Sequence, residues 1–270
     1  MDGTWTEGRV AATGGRERRL HDRGLSAIQR AHVAALLILC ALAPLAFAQD
    51  DISFDPATTQ QEFAIFSRLV AQGIYATPVE PARARGILGF DIGVAATAVP
   101  VDTSSAYWQH AVHDDFSISN YVAVPRVIVS KGLSAATISA MYSRVQGSNI
   151  NVWGGALDVP IINGGLLRPT LALRGSYAKL NGTDNYDLKT YGVELFLSKG
   201  FGPVTPYAAI GRARSQAEGR VTTPALVFSD RHENQRVTVG VKLSLLLPKI
   251  VIEATQAEKR SYAAKVSFGL

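Results

Sequence analysis

The stretch Arg260-Ser-Tyr-Ala-Ala-Lys-Val-Ser-Phe-Gly-Leu270 alternates without a break. Tyr262, Ala264, Val266, Phe268 and Leu270 are apolar or aromatic, while Ser261, Ala263, Lys265, Ser267 and Gly269 are small or polar. A period of two sends alternate side chains to opposite faces of a strand. A soluble domain seldom stops mid-strand with its apolar face unfinished. A closed barrel in a bilayer explains the pattern: its last strand completes the cylinder, and the outward face meets hydrocarbon.

The same alternation recurs upstream. From Gly86, Leu88, Phe90, Ile92, Val94 and Ala96 share one face, and Gly89, Asp91, Gly93, Ala95 and Thr97 the other. Tyr191, Val193, Leu195 and Leu197 alternate with Thr190, Gly192, Glu194 and Ser198, and Val237 to Leu245 repeat the scheme. Further strands are expected near 120–130, 133–143, 149–159, 168–179, 204–214, 249–257 and 260–270. Both faces of the 120–130 candidate are apolar. The expected fold class is all-β: a closed antiparallel transmembrane β-barrel of about ten strands over residues 86–270, preceded by a short amphipathic helix.

This pattern resembles bacterial outer-membrane β-barrel proteins, whose signature C-terminal strand usually ends in Phe or Trp; here Leu270 is last and Phe268 stands two before it. The resemblance is to a class and implies outer-membrane lipid around the barrel. It also implies recognition by the barrel-assembly machinery through the C-terminal strand. It assigns no ligand and no oligomeric state.

The other end reads as an export signal. An apolar run begins at Val33, with Arg23 and Arg30 ahead of it and Ala46-Phe47-Ala48 behind. Cleavage after Ala48 is expected, so residues 1–48 are a signal peptide and residues 49–85 the leading segment. The stretch before the apolar run is long for a signal, which is consistent with a true start downstream of Met1. A lipoprotein reading would use Cys40, but Leu39 stands where a small residue is needed. Removing residues 1–48 takes six arginines, four acids and the only cysteine, leaving a net charge of +3. Stability must then come without disulfides, and no basic cluster argues for nucleic acid.

Within residues 49–85, Thr59-Gln-Gln-Glu62 is a capping box, and Phe63, Phe66, Leu69 and Val70 fall on one helical face. Gly73 is the expected stop, and Pro78 and Pro81 keep the following chain extended. Two placements are open: a helix covering the periplasmic mouth or lying in the membrane interface, or a plug in the lumen. A polar lumen would offer this face few apolar partners, which favours the cover.

Periplasmic turns are expected at 131–132, 160–167, 199–204 and 247–248, and outer loops at 99–119, 144–148, 180–186, 215–233 and 258–259. The two longest are on one side, as in outer-membrane barrels. Tyr121, Tyr142, Trp153, Tyr177, Tyr191 and Tyr262 are expected outward at the outer rim, and Phe90, Tyr207 and Phe268 at the periplasmic rim, where membrane-interface aromatics collect. A soluble β-sandwich has no reason to gather aromatics at both strand ends; a large soluble barrel is the structural alternative.

Asp91, Arg126, Asp158, Arg174, Glu194, Arg212, Arg214, Lys242, Glu253 and Lys265 are expected to line the lumen. A mixed-charge set of this kind packs a narrow interior closed, giving a structural or surface-interaction barrel. The alternative is a narrow channel or small-solute transporter, in which Arg212 and Arg214 favour anions. Ten-stranded proteases of the omptin type use acids and a His at the outer rim, and His110, His113, Asp114, Asp115, Asp230, His232 and Glu233 supply such residues without matching that motif. An esterase would draw on Ser104, Ser105 and His110. No catalytic set, metal-ligand spacing or cofactor motif is assigned.

Overall fold

Alternation becomes a closed wall. The computed structural model describes residues 52–112, 120–144, 149–165, 167–221, 225–245 and 247–270. The expected signal lies outside them. Ten antiparallel strands form one barrel: β1 (Phe90–Pro100), β2 (Tyr121–Leu133), β3 (Ala136–Arg144), β4 (Asn151–Ile162), β5 (Thr170–Asn181), β6 (Tyr186–Ser198), β7 (Val204–Val221), β8 (Leu226–Ser244), β9 (Pro248–Gln256) and β10 (Arg260–Gly269). Each pairs with its sequence neighbours, and β10 closes on β1 from Asp91–Gly269 to Ala98–Tyr262. Every strand pairs with a neighbour on both sides around the cylinder, the condition for crossing a bilayer with strands.

The apolar side chains face out. Ile92, Val127, Val129, Ile138, Leu157, Leu173, Val193, Leu197, Ile210, Val237, Val239 and Ile252 are exposed on the outer wall. Their strand neighbours, among them Asp91, Ser130, Thr137, Asp158, Arg174, Glu194, Thr238 and Glu253, are buried inside. On β2 the inward Val124 meets the leading segment, lying 3.2 Å from where a side chain on Gly73 would begin. That contact is why both faces of β2 are apolar.

The barrel has a long-loop end and a short-turn end. Residues 101–112, which include the short helix α2 (Ala106–Gln109), belong to the first. So does the connection between β7 and β8. The expected loop 215–233 is mostly strand: residues 215–221 and 226–233 belong to the paired hairpin of β7 and β8, strands 18 and 19 residues long. On its β9 side, β8 is paired only from Val237 onward, so the hairpin projects beyond the barrel. Lys131 and Gly132 are inside β2 rather than at a turn, which falls at 134–135.

The leading helix α1 (Gln60–Ile74) is inside the barrel. Thr59 and Glu62 form the expected capping box. The helix touches β1, β2, β5, β6, β7 and β8, strands on opposite walls. It is therefore a plug and not a cover on the periplasmic mouth. The expectation failed because the lumen is not uniformly polar. Its long-loop half offers Phe54, Tyr186 and Phe228, whose rings lie 5.1, 6.1 and 5.4 Å from Phe63. Gly73 does not stop the helix, which runs to Ile74 and gives way to extended chain at Tyr75.

Candidate functional site

The interior is the most developed site of this chain, and the leading segment organises it. Residues 75–82 are buried and 83–85 half-buried, and the stretch, bent at Val79, belongs to no helix or sheet. Their carbonyls need partners, because an unpaired buried backbone group is costly. Lumen cations supply them. Arg126 donates to the carbonyls of Gly73 and Tyr75 at 2.7 Å each. Lys265 donates to the carbonyl of Pro78 at 3.1 Å, and Arg174 to that of Glu80 at 3.0 Å.

Carboxylates balance these cations. Asp158 takes two bonds from Arg174, at 2.7 and 2.9 Å. Asp91 lies 2.9 Å from both Lys249 and Lys265. Glu80, on the plug itself, pairs with Arg85 and sits 3.6 Å from Lys265. Midway up the lumen, Glu194 accepts from the Tyr75 hydroxyl at 3.2 Å, and the Arg236 guanidinium lies 3.8 Å over the Tyr75 ring. Gly192 leaves the room for that ring: a Cβ there would collide with the Tyr75 hydroxyl. Near the long-loop end, Arg68 on α1 pairs with Asp230 at 3.0 Å, and Gln72 donates to the carbonyl of Lys259 at 2.7 Å.

Eight of the ten expected lumen residues are inside: Asp91, Arg126, Asp158, Arg174, Glu194, Lys242, Glu253 and Lys265. Arg212 and Arg214 are not; both are exposed on the outer wall. The whole of β7 faces opposite to expectation, so Tyr207 is no rim aromatic. It is buried, and its hydroxyl donates to Glu253 at 2.7 Å. Charge misled the assignment, because outward charges are costly only within the hydrocarbon, and Arg214 stands opposite Tyr191 at the aromatic level. The other aromatics, Phe90, Tyr121, Tyr142, Trp153, Tyr177, Tyr191, Tyr262 and Phe268, face outward. Phe90 and Phe268 lie at the short-turn end and the rest toward the long loops.

Sequence reading missed Arg68, Tyr75, Glu80, Arg85, Arg236 and Lys249, and it placed Asp230 in an outer loop rather than facing the plug. Arg236 shares the parity of Thr238 and Lys242, and Lys249 that of Glu253, so both could have been found by extending each strand. Glu80 and Arg85 could not, since the extended segment has no period to read.

The rim residues considered for catalysis are held apart. The hydroxyls of Ser104 and Ser105 donate to Asp102 at 2.6 Å each, whereas His110 faces Glu62 at 3.2 Å. His232 bonds Glu258, and Asp230 is taken by Arg68. His113, Asp114 and Asp115 lie outside the described residues.

A closed ten-strand cylinder with an apolar outer wall and a polar, charged interior has one architecture. It is that of outer-membrane β-barrel proteins. No family model matches the chain, and no curated protein does. Solved structures similar to it include the N-terminal β-barrel domain of Pseudomonas aeruginosa OprF, at 10% identity and a TM-score of 0.34, covering 67% of this chain and 97% of that one. The outer membrane protease OmpT of Escherichia coli matches at 7% identity and a TM-score of 0.38, again over 67% and 97%. Ail, the attachment invasion locus protein of Yersinia pestis, matches at 12% and 0.29, over 67% and 93%.

Proposed function

We propose that this protein is a closed outer-membrane barrel that acts at the cell surface, in a structural or adhesive role, and does not conduct. One observation carries the reading: residues 60–85 run the length of the lumen, and buried ion pairs and hydrogen bonds fix them on both walls. A cavity of about 20 Å³ beside Arg68, Tyr75 and Arg236 has room for water and no more. The channel alternative loses its selectivity residues, since Arg212 and Arg214 face outward.

Planar-bilayer recording of the purified protein tests the proposal. The intact chain should show no steady conductance, and a chain lacking residues 52–85 should show one. A steady, selective conductance from the intact chain would replace this reading with a channel.

A further inference from the structure

The outer wall of β5 to β8 carries a cluster of cations at the height of the aromatic girdle. Register defines it. One rung of outward side chains reads Trp153, Lys179, Lys189, Gln216, Arg231 across β4 to β8. The next rung toward the short-turn end reads Gly155, Tyr177, Tyr191, Arg214, Glu233, and the one after it places Arg212 beside Val193 and Gln235. Below these the wall is apolar: Leu173, Leu195, Ile210, Val237. The cations therefore begin where the hydrocarbon band ends, at the depth of headgroups.

Lys179 stands directly opposite Lys189, an arrangement that like charges disfavour. Among the described residues neither forms an ion pair, nor do Arg214 and Arg231; Arg212 pairs with Glu233 at 3.2 Å, both well exposed. Glu233 is the one acid in these three rungs. Asp187 and Glu218 lie one rung farther out, facing each other. On its β9 side β8 is unpaired at these rungs, and the first outward β9 residues it meets lower down are Gln256 opposite Val237 and Ala254 opposite Val239. Three packed rings lie beside the patch, Trp153 to Tyr177 at 5.4 Å and Tyr177 to Tyr191 at 5.1 Å, and offer faces to a sugar.

We propose that the outer wall of β5 to β8 binds a phosphorylated glycolipid headgroup of the surrounding leaflet. Lys179 and Lys189 would share one phosphate, and Arg214 and Arg231 would hold a second about two strand spacings away, roughly 10 Å. Basic residues at a membrane surface attract anionic headgroups by ordinary electrostatics. The proposal rests on the outer-membrane reading and names what that membrane contributes.

The test uses the folded full-length barrel in neutral detergent, with diphosphorylated lipid A as the probe and its dephosphorylated form as control. Lipid retained on the barrel is read by native mass spectrometry. The diphosphorylated form should be retained about tenfold or more over the control, and binding should weaken with salt. Lys179→Glu/Lys189→Glu and Arg214→Glu/Arg231→Glu should each lose that preference. Lys179→Arg/Lys189→Arg should keep it, as should Arg144→Glu/Arg260→Glu, which alters outward cations off the patch. Equal retention of the two lipids, or the same loss from Arg144→Glu/Arg260→Glu, would overturn the proposal. Folding is followed separately by the mobility of unheated protein on a gel. Absence of any lipid preference in the unsubstituted protein, with that mobility intact, would count against the patch alone, leaving the barrel reading standing.

Discussion

Arg174 is wholly buried, and its Nε and one terminal nitrogen donate to both oxygens of Asp158. Its ring neighbour is Phe196, 4.3 Å below the guanidinium. Such a pair adds little net stability over apolar packing, but removing one member strands the other in a low-dielectric interior. Arg174→Ala should therefore destabilise the barrel by about 3–5 kcal/mol, read as a lower temperature at which unheated mobility is lost. Arg174→Ala/Asp158→Ala should recover part of the loss; if the double variant is worse than the single one, Asp158 has another cation. On the outer wall the logic inverts. Val239 is exposed between Ala208 and Ala254 in the apolar band. Val239→Arg should cost about 2–4 kcal/mol, whereas Arg212→Ala, one girdle higher, should leave the melting temperature nearly unchanged.

At the scale of the element, α1 is held by its start and by its flank. Thr59 and Glu62 close the capping box, and Glu62 also faces His110 at the long-loop mouth. The hydrogen bond from the Thr59 backbone, with smaller help from His110, holds the Glu62 carboxyl below its ordinary value of 4.5. A depressed folded value means the contribution is present above the unfolded value and lost as pH falls through the folded one. Hydrogen exchange at the first turn of α1 should therefore quicken as pH drops below about 4.5, after correction for intrinsic exchange. Glu62→Gln should abolish that dependence, whereas Thr59→Ala, which keeps the backbone N–H that Glu62 accepts, should leave most of it. At the other end of the chain, Phe268 sits opposite Ile92 on β1 and Pro248 on β9. Deleting Phe268 to Leu270 removes part of the seam that closes the cylinder, and the yield of heat-modifiable barrel should fall sharply.

For the whole molecule, the path of the leading segment has a topological consequence. The backbone of Ser53 and Asp55 bonds to Ala111 and His110 at the long-loop end, and Arg85 bonds Thr137 near the opposite end. The chain thus enters the lumen beside the long loops, descends, and turns at Gly86 into β1. If the long loops face outside, residues 52–58 would lie at the cell surface. After cleavage of the expected signal, Ala57→Cys would carry the sole cysteine. It should react with a membrane-impermeant maleimide on intact cells. Leu167→Cys, at the short-turn end, should react only after permeabilisation. The reverse pattern would invert the barrel in the membrane.

The strand alternation, the closing terminal strand, the capping box and most outward and inward faces were legible in the sequence. Each depends on a period of two, or on neighbours three residues apart. A lipid wall makes that period strict, because every outward position meets the same solvent. The sequence by itself did not decide the facing of β7, because Arg212 and Arg214 are tolerated outward once they clear the hydrocarbon. Nor did it decide where α1 goes or what Glu80 and Arg85 pair with. Those depend on which side chains ten separate strands bring to one axis, and the plug's apolar face and bare carbonyls find partners only when the cylinder has closed around them.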